Sequence, residues 1–385
     1  MKKLILSLAL LGSAVSLNAQ QDLYALTGKS GPNIIFNDFR SLDVKNGISG
    51  DVFLNDTSSP KVFSQVQNSR ISDVKNLTHG ATATSMATLA YDGENLIYMP
   101  LFSSNIYVLN SKSKKVTLLE TPGIKTTACN LGSQFTRMTT GFDGSIYALT
   151  NSGSQFLKIT NKNGKYEVKD LGTVQDVSGS SEVSLTQMNT GFGGDMVADS
   201  DNNFYVFAAS GNIFKINSES LSAVFVGKIK GLPENFSLNG AAVNANGKIT
   251  VASAKAQGFF EVNLENLEAK PLNNNLNFPV YDLASRYFVN DNRAANTAAV
   301  SDLSIFPTKV DQKFVNISIP SKMEKSKLTV SFFDASGALV SKKQLSQEYG
   351  VQRIDLQGFN QGVYIVNVED HNGKVLSTSK ILVTN

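Results

Sequence analysis

The chain has 385 residues, a net charge of +3 and a charged fraction of 17%. No basic stripe is present, which argues against a nucleic-acid partner. The single cysteine, Cys129, rules out an intrachain disulfide, and two histidines leave little material for metal or triad chemistry.

The sequence opens MKKLILSLALLGSAVSLNAQ. Lys2 and Lys3 precede an apolar run over residues 4–17, too short to span a bilayer and suited to a cleavable leader. Cleavage is expected between Ala19 and Gln20, giving a signal peptide over 1–19 and a secreted or cell-surface chain that passes through the periplasm. No other apolar run approaches the ~18 residues of a membrane helix, so no transmembrane segment is expected in the mature chain.

After the leader, Gly, Asn, Ser and Thr are abundant, and short Val-, Ile-, Phe- and Tyr-rich runs lie between Asn-Gly and Asp-Gly turns. That pattern predicts strands and hairpins throughout. Residues 83–120, 135–172, 185–227 and 236–272 repeat one order: an apolar strand, a tight Asp or Asn turn, a second strand such as SIYAL or FYVF, a third such as FLKIT or IFKIN, and a charged outer strand. The anchor positions Met86, Met138, Met188 and Leu238 recur about every 50 residues, the period of a four-stranded β-propeller blade. The fold class expected is therefore all-β: a propeller of about five to seven blades over 20–289, then a small immunoglobulin-like sandwich. Seven blades require residues 31–78 to hold more than one. Asp22-Leu-Tyr-Ala-Leu-Thr27 nearly repeats Ser145-Ile-Tyr-Ala-Leu-Thr150, so the N-terminal strand is expected to complete the last blade with residues 280–289. Residues 290–302 are small, polar and aperiodic and read as a linker.

Few residues in the repeats suggest chemistry. His79 has no candidate partner. Asp199-Ser-Asp-Asn-Asn203 resembles the opening of a calcium loop but lacks its later Gly and acid, so it reads as a blade turn. Calcium there is the one cation to watch for. Gly191-Phe-Gly-Gly194 lacks the Gly-Lys-Ser/Thr of a phosphate loop. Cys129 is expected to be a small buried residue. No catalytic, cofactor or metal residue is assigned. Two functions stay open. One is a non-enzymatic binding module that uses long loops over 121–134 and 173–182 against an extracellular ligand or protein. The other is a lactonase-like or lyase-like enzyme acting on an extracellular small molecule or glycan. The enzyme reading gains if several of Asp92, Asp143, Asp195, Asp199 and Asp201 converge with His79 on the central channel, and fails if they sit in separate peripheral turns.

Residues 303–385 form a second β unit with its own alternation. Three blocks stand out: Phe306-Pro307, followed by Thr308 and Lys309; Val330-Ser-Phe-Phe-Asp-Ala-Ser-Gly-Ala-Leu-Val340, with Asp334 and Gly337 at its turn; and Gly362-Val-Tyr-Ile-Val-Asn-Val, with Tyr364, then Gly373 and Lys380 near the end. Strand alternation puts Tyr364 on one face with Val366 and Val368. On these blocks the unit resembles the type A C-terminal sorting domain of the type IX secretion system of Bacteroidetes, although Thr308 and Lys309 depart from the usual first box. The resemblance implies that Phe306, Pro307, Asp334, Gly337, Gly362, Tyr364, Gly373 and Lys380 belong to the sorting motif. It implies the type IX machinery as a partner, and secretion or outer-membrane surface attachment as the outcome.

Overall fold

The structure, a computed structural model, describes residues 23–28, 36–71, 86–290 and 303–384, apart from positions 56, 59, 122, 128, 178–182, 307, 311–312, 321–322, 324–325 and 346–349. The expected signal peptide with Ala19 and Gln20, His79, Pro307 and nearly all of the expected linker lie outside the described residues.

Strands dominate, as β-branched and aromatic runs between Gly and Asn turns require. β1 (Leu23–Gly28), β2 (Phe36–Asp43) and β3 (Ile48–Ser49) come first, followed by β4 (Val62–Ser64) and β5 (Ser69–Arg70). The repeats then follow as meanders: β6 (Met86–Tyr91), β7 (Asn95–Pro100), β8 (Ile106–Asn110) and β9 (Val116–Leu119); β10 (Phe135–Thr140), β11 (Ile146–Thr150), β12 (Phe156–Lys162) and β13 (Lys165–Gly172). A short β14 (Gln175–Asp176) precedes β15 (Asp195–Ala198), β16 (Asn203–Phe207), β17 (Asn212–Asn217) and β18 (Ser222–Lys228). The last meander is β19 (Leu238–Val243), β20 (Ile249–Ser253), β21 (Phe259–Asn263) and β22 (Glu268–Pro271), after which β23 (Val280–Ala284) stands alone in sequence.

β23 pairs with β1, in a sheet ordered β23-β1-β2-β3, with Tyr24 opposite Ala284 and Leu26 opposite Asp282. The N-terminal strand therefore does complete the sheet begun by residues 280–284. Among the described residues, 31–78 add no sheet of their own. β2 and β3 extend the sheet of β1, and β4, with β5, joins the outer side of β9 in parallel.

These sheets are apolar on both faces, so each must be covered by its neighbours. The first strands touch in series: β6 with β10, β10 with β15, β15 with β19, β19 with β23, and β23 with β6. The apolar clusters follow the same order. Leu26 and Phe39 pack with Leu89 and Tyr98. Ile97 and Met99 pack with Met138 and Leu157, and Leu149 and Phe156 with Met196 and Phe204. Phe207 and Ile213 meet Leu238 and Val251, while Ala252 and Phe259 meet Leu23 and Leu283. Each buried Leu or Phe contributes roughly 1.5–3 kcal/mol, so stacking between sheets carries most of the stability.

Two expectations need correction. Met188 is not on an inner strand. It sits, 42% exposed, on a one-turn helix, α1 (Met188–Gly191), and the inner strand is β15 with the buried Met196. The Gly-rich stretch after α1 is extra chain that regular spacing does not reveal. Cys129 is exposed, with φ at +66°, because it stands at a turn and faces solvent.

The tail strands form two sheets of their own. β24 (Ser304–Phe306), β25 (Lys309–Val310), β26 (Phe314–Ile319), β27 (Thr329–Phe333), β28 (Leu339–Gln344), β29 (Gly350–Asp355), β30 (Gly362–Glu369) and β31 (Val375–Val383) are arranged as β24-β26-β29 and β25-β31-β30-β27-β28. Val315 and Ile317 of the first sheet meet Val330, Phe332, Val366 and Ile381 of the second in one apolar core.

Candidate functional site

The inner strands β6, β10, β15, β19 and β23 are the first strands of their sheets, so one side of each has no ladder partner. Buried backbone groups must be paired by something. Here two charged side chains supply partners, Arg137 on β10 and Asp195 on β15, and both are fully buried, as is Asp282 on β23.

Asp195 reaches across to neighbouring strands. Its Oδ1 accepts from the Met196 amide at 2.7 Å. Its Oδ2 accepts from the Ala241 amide of β19 at 2.7 Å and the Leu283 amide of β23 at 3.4 Å. Arg137 is wrapped by carbonyls: Nε donates to Gly193 at 3.0 Å, one terminal nitrogen to Thr150 at 3.3 Å, and the other to Gly191. The Gly-rich 191–194 segment thus forms a cradle for a buried guanidinium, not a phosphate loop. Gly194 has φ at +80°, and a Cβ there would fall 1.7 Å from the Phe207 carbonyl oxygen.

Burial sets the electrostatics. It pulls the Arg137 guanidinium down, and the charge of Asp195 pulls it back. Burial pushes Asp195 well above the usual carboxylate range against the pull of its amide donors. Asp282 is also pushed up, first by burial and then by the charge of Asp195. Neither oxygen of Asp282 makes a hydrogen bond of normal geometry, nor does the buried Thr88 hydroxyl of β6. Residues after β23 cross over the ends of the inner strands: the Val289 amide donates to Ala198 at 2.9 Å, and the Phe288 ring packs edge-on against Phe142 at 5.2 Å.

The other acids lie elsewhere. Asp92 accepts from the Glu94 and Asn95 amides at 2.9 and 2.6 Å. Asp143 accepts from the Ser145 amide at 3.0 Å and from Lys158 at 2.7 Å. Asp199 accepts from the Asp201 and Asn203 amides at 2.9 and 2.8 Å, and Asn202 (φ +61°) takes the glycine position of that turn. Each is an Asx-type cap of a hairpin turn. Among the described residues, no group of three or more His, Cys, Asp or Glu is placed to hold a metal.

At the junction of the β9 and β13 sheets lies an open groove of about 270 Å³, with Ile124, Leu157 and Tyr166 in its floor and Gln65, Glu120 and Asp170 at its rim. The 121–134 loop beside it is pinned by two buried amides. Gln155 Nε2 donates to Gly123 at 3.0 Å, and Gln134 donates to Thr127 and Asn130 at 3.1 and 3.0 Å.

In the tail, Asp334 caps its turn by accepting from the Ser336 and Ala338 amides at 2.8 and 3.0 Å, with Gly337 at φ +84°. The turn at Gly373 is built the same way on Asp370. Tyr364 is buried with Val366 and Val368, and its hydroxyl donates to the Asn360 carbonyl at 2.9 Å. Phe306 is half-buried on β24. Gly362 opens β30 opposite Val383, with φ at +158°, close to ordinary extended backbone. Lys380 is exposed on β31. Phe306, Tyr364, Gly362 and Lys380 are therefore strand residues, and Asp334, Gly337 and Gly373 are turn residues.

Residues 304–384 match the family described as the secretion system C-terminal sorting domain. The chain ends in a sorting domain of the type IX secretion system, and it is exported, to the medium or to the cell surface. No curated protein matches the chain. Among solved structures it is similar to PorZ, a bacterial surface component of the type IX secretion system of Porphyromonas gingivalis, at 12% identity over 94% of this chain and 51% of that one, with a TM-score of 0.28. It is also similar to the extracellular domain of a one-component system from B. thetaiotaomicron, at 11% identity over 91% and 47%, TM-score 0.30. Virginiamycin B lyase from Staphylococcus aureus aligns at 10% identity over 95% and 96%, TM-score 0.30. The chain spans about half the length of the first two. Scores this low leave each neighbour's activity with that neighbour. No helix among the described residues is long and apolar enough to cross a membrane.

Proposed function

We propose that residues 20–289 form a five-bladed β-propeller that binds an extracellular ligand without catalysis, and that 290–302 link it to the sorting tail at 303–385. Five inner strands touching in series, with β23 returning to β6, support the blade number and the closure. The observation that carries the non-enzymatic reading is the complete burial of Arg137, Asp195 and Asp282. These are the only Asp, Glu, Lys, Arg or His residues on the inner strands among the described residues, and Arg137 and Asp195 are spent on backbone. A substrate has no path to them. The four other acids considered from the sequence cap turns or stand exposed in one. The enzyme reading needed several of them on the axis.

The binding surface in this reading is the pinned 121–134 loop and the groove beside it, where a preorganised backbone lowers the ordering cost of association. The type IX machinery is the partner in export, and no cofactor is needed. The test is a glycan and protein-partner screen on the purified mature chain, with a parallel turnover assay on lactones and streptogramin B. Saturable binding weakened about tenfold, or ~1.4 kcal/mol, by Tyr166→Ala or Asp170→Lys is the expected result. Turnover abolished by Asp195→Asn overturns the reading.

A further inference from the structure

The larger sheet of the tail has one face on the core and one open. Period-two alternation sends Tyr364, Val366, Val368 and Ile381 inward. It sends Val363, Ile365, Lys380 and Leu382 the other way. Register then assembles a row: Leu339 lies opposite Phe333, Phe333 opposite Ile365, and Ile365 opposite Lys380. Val363 opposite Leu382 makes the next row. Leu339 is 54% exposed and Leu382 42%. From these rows Phe333, Val363, Ile365 and Lys380 line an open depression of about 540 Å³, closed at one end by the Asp334–Gly337 turn. Three of the motif residues singled out from sequence, Asp334, Gly337 and Lys380, thus meet at one surface feature that the strand pattern alone does not reveal. Asp334 is spent on its own turn. Lys380, and the exposed Lys309 opposite Leu382 on β25, form no ion pair among the described residues, whereas Lys342 on the far edge strand β28 is 3.3 Å from Glu369.

Building on the sorting role of the tail, we infer that this face is the surface the secretion machinery grips, and that the occupant is a protein presenting apolar side chains together with carboxylates. The apolar rows supply contact area, and the two lysines beside them, Lys309 opposite Leu382 and Lys380 opposite Ile365, fix register through charge-assisted bonds. A lipid or lipopolysaccharide surface is recognised through clusters of roughly four to eight basic residues. Among the described residues this face offers two outside any ion pair.

The test uses the full chain in its native host. Ile365→Glu and Lys380→Glu are each expected to lower the exported fraction about tenfold, the effect of ~1.4 kcal/mol in recognition. Purified protein should keep its melting profile and protease resistance, and Gln357→Glu in the exposed turn after β29 should export normally. A photo-cross-linking residue at position 382 should give an adduct with an outer-membrane component of the secretion machinery. Normal export of both variants, while deletion of 303–385 blocks export, overturns this surface and leaves the sorting role standing. Normal export of the deleted chain removes the sorting role itself. An adduct only with lipid or lipopolysaccharide also overturns the proposal.

Discussion

The repeat region and the tail are both stacks of β-sheet, yet they place their polar residues oppositely. In the repeats, Arg137, Asp195 and Asp282 lie at zero exposure among the inner strands, and Thr88 and Thr250 join them. In the tail the sheet–sheet core is almost wholly apolar, and the motif residues Asp334 and Lys380 face water. The difference follows from geometry. Sheets converging through their first strands leave rows of unpaired amides and carbonyls pointing at each other, and only side chains can satisfy them. Two sheets packed face to face create no such buried rows. The repeats are therefore held by a few high-stakes polar groups, and the tail by many interchangeable apolar ones.

The comparison breaks most visibly at Arg137. Arg137→Met leaves the Gly191, Gly193 and Thr150 carbonyls without this donor, a loss of about 1–3 kcal/mol for each stranded acceptor. Thermal melts should show the repeat region unfolding early while any separate tail transition stays in place. Gly194→Val belongs with it, because the side chain has no space at positive φ.

Asp282 gives a subtler effect with a definite sign. Its carboxyl is raised by burial and by Asp195, so the folded state holds a proton that the unfolded chain releases near pH ~4. Stability is then fully present below that pH and is lost as pH rises toward the folded-state value. Asp282→Asn removes its share of this loss. Melting temperatures taken from pH 4 to pH 8 should fall less steeply in the variant than in the natural chain. Parallel curves would show that the carboxyl is not protonated in the fold.

In the tail, Gly337→Val should cost about 1–2 kcal/mol, since φ of +84° is a left-handed conformation that β-branched residues resist. Gly362→Val should cost less, because its φ of +158° is near extended and nothing lies within 4 Å of an added Cβ. Urea melts of the full chain rank the two. At the small end, Asp143→Ala loses a turn cap and a part-exposed ion pair with Lys158, worth about 1 kcal/mol.

Much of the strand order was legible because its punctuation is local. Asp143-Gly144, Asn246-Gly247 and Asn372-Gly373 each dictate a hairpin through side-chain caps and a left-handed residue. The return of β1 to β23 was legible from one repeated hexapeptide. The buried polar cluster was not, because Asp195 was only grouped with four other acids as a candidate for the central channel, and Arg137 was not singled out. The available signal was a charged residue in the middle of an apolar strand, as in Phe135-Thr-Arg-Met-Thr-Thr140 and Val280-Tyr-Asp-Leu-Ala284. Met188 misled the spacing because α1 and the glycine cradle insert chain before β15. The outward face at Lys380 needed register across three strands, which no single segment encodes.

The central claim is that an independently folded repeat region is carried out of the cell by a removable tail. Fractionating the native host expressing a chain that ends at residue 302 tests it most directly. The account predicts a folded, protease-resistant repeat region held in the periplasm and absent from the medium and the outer surface. Recovery of that shortened chain outside the cell at normal levels would contradict it.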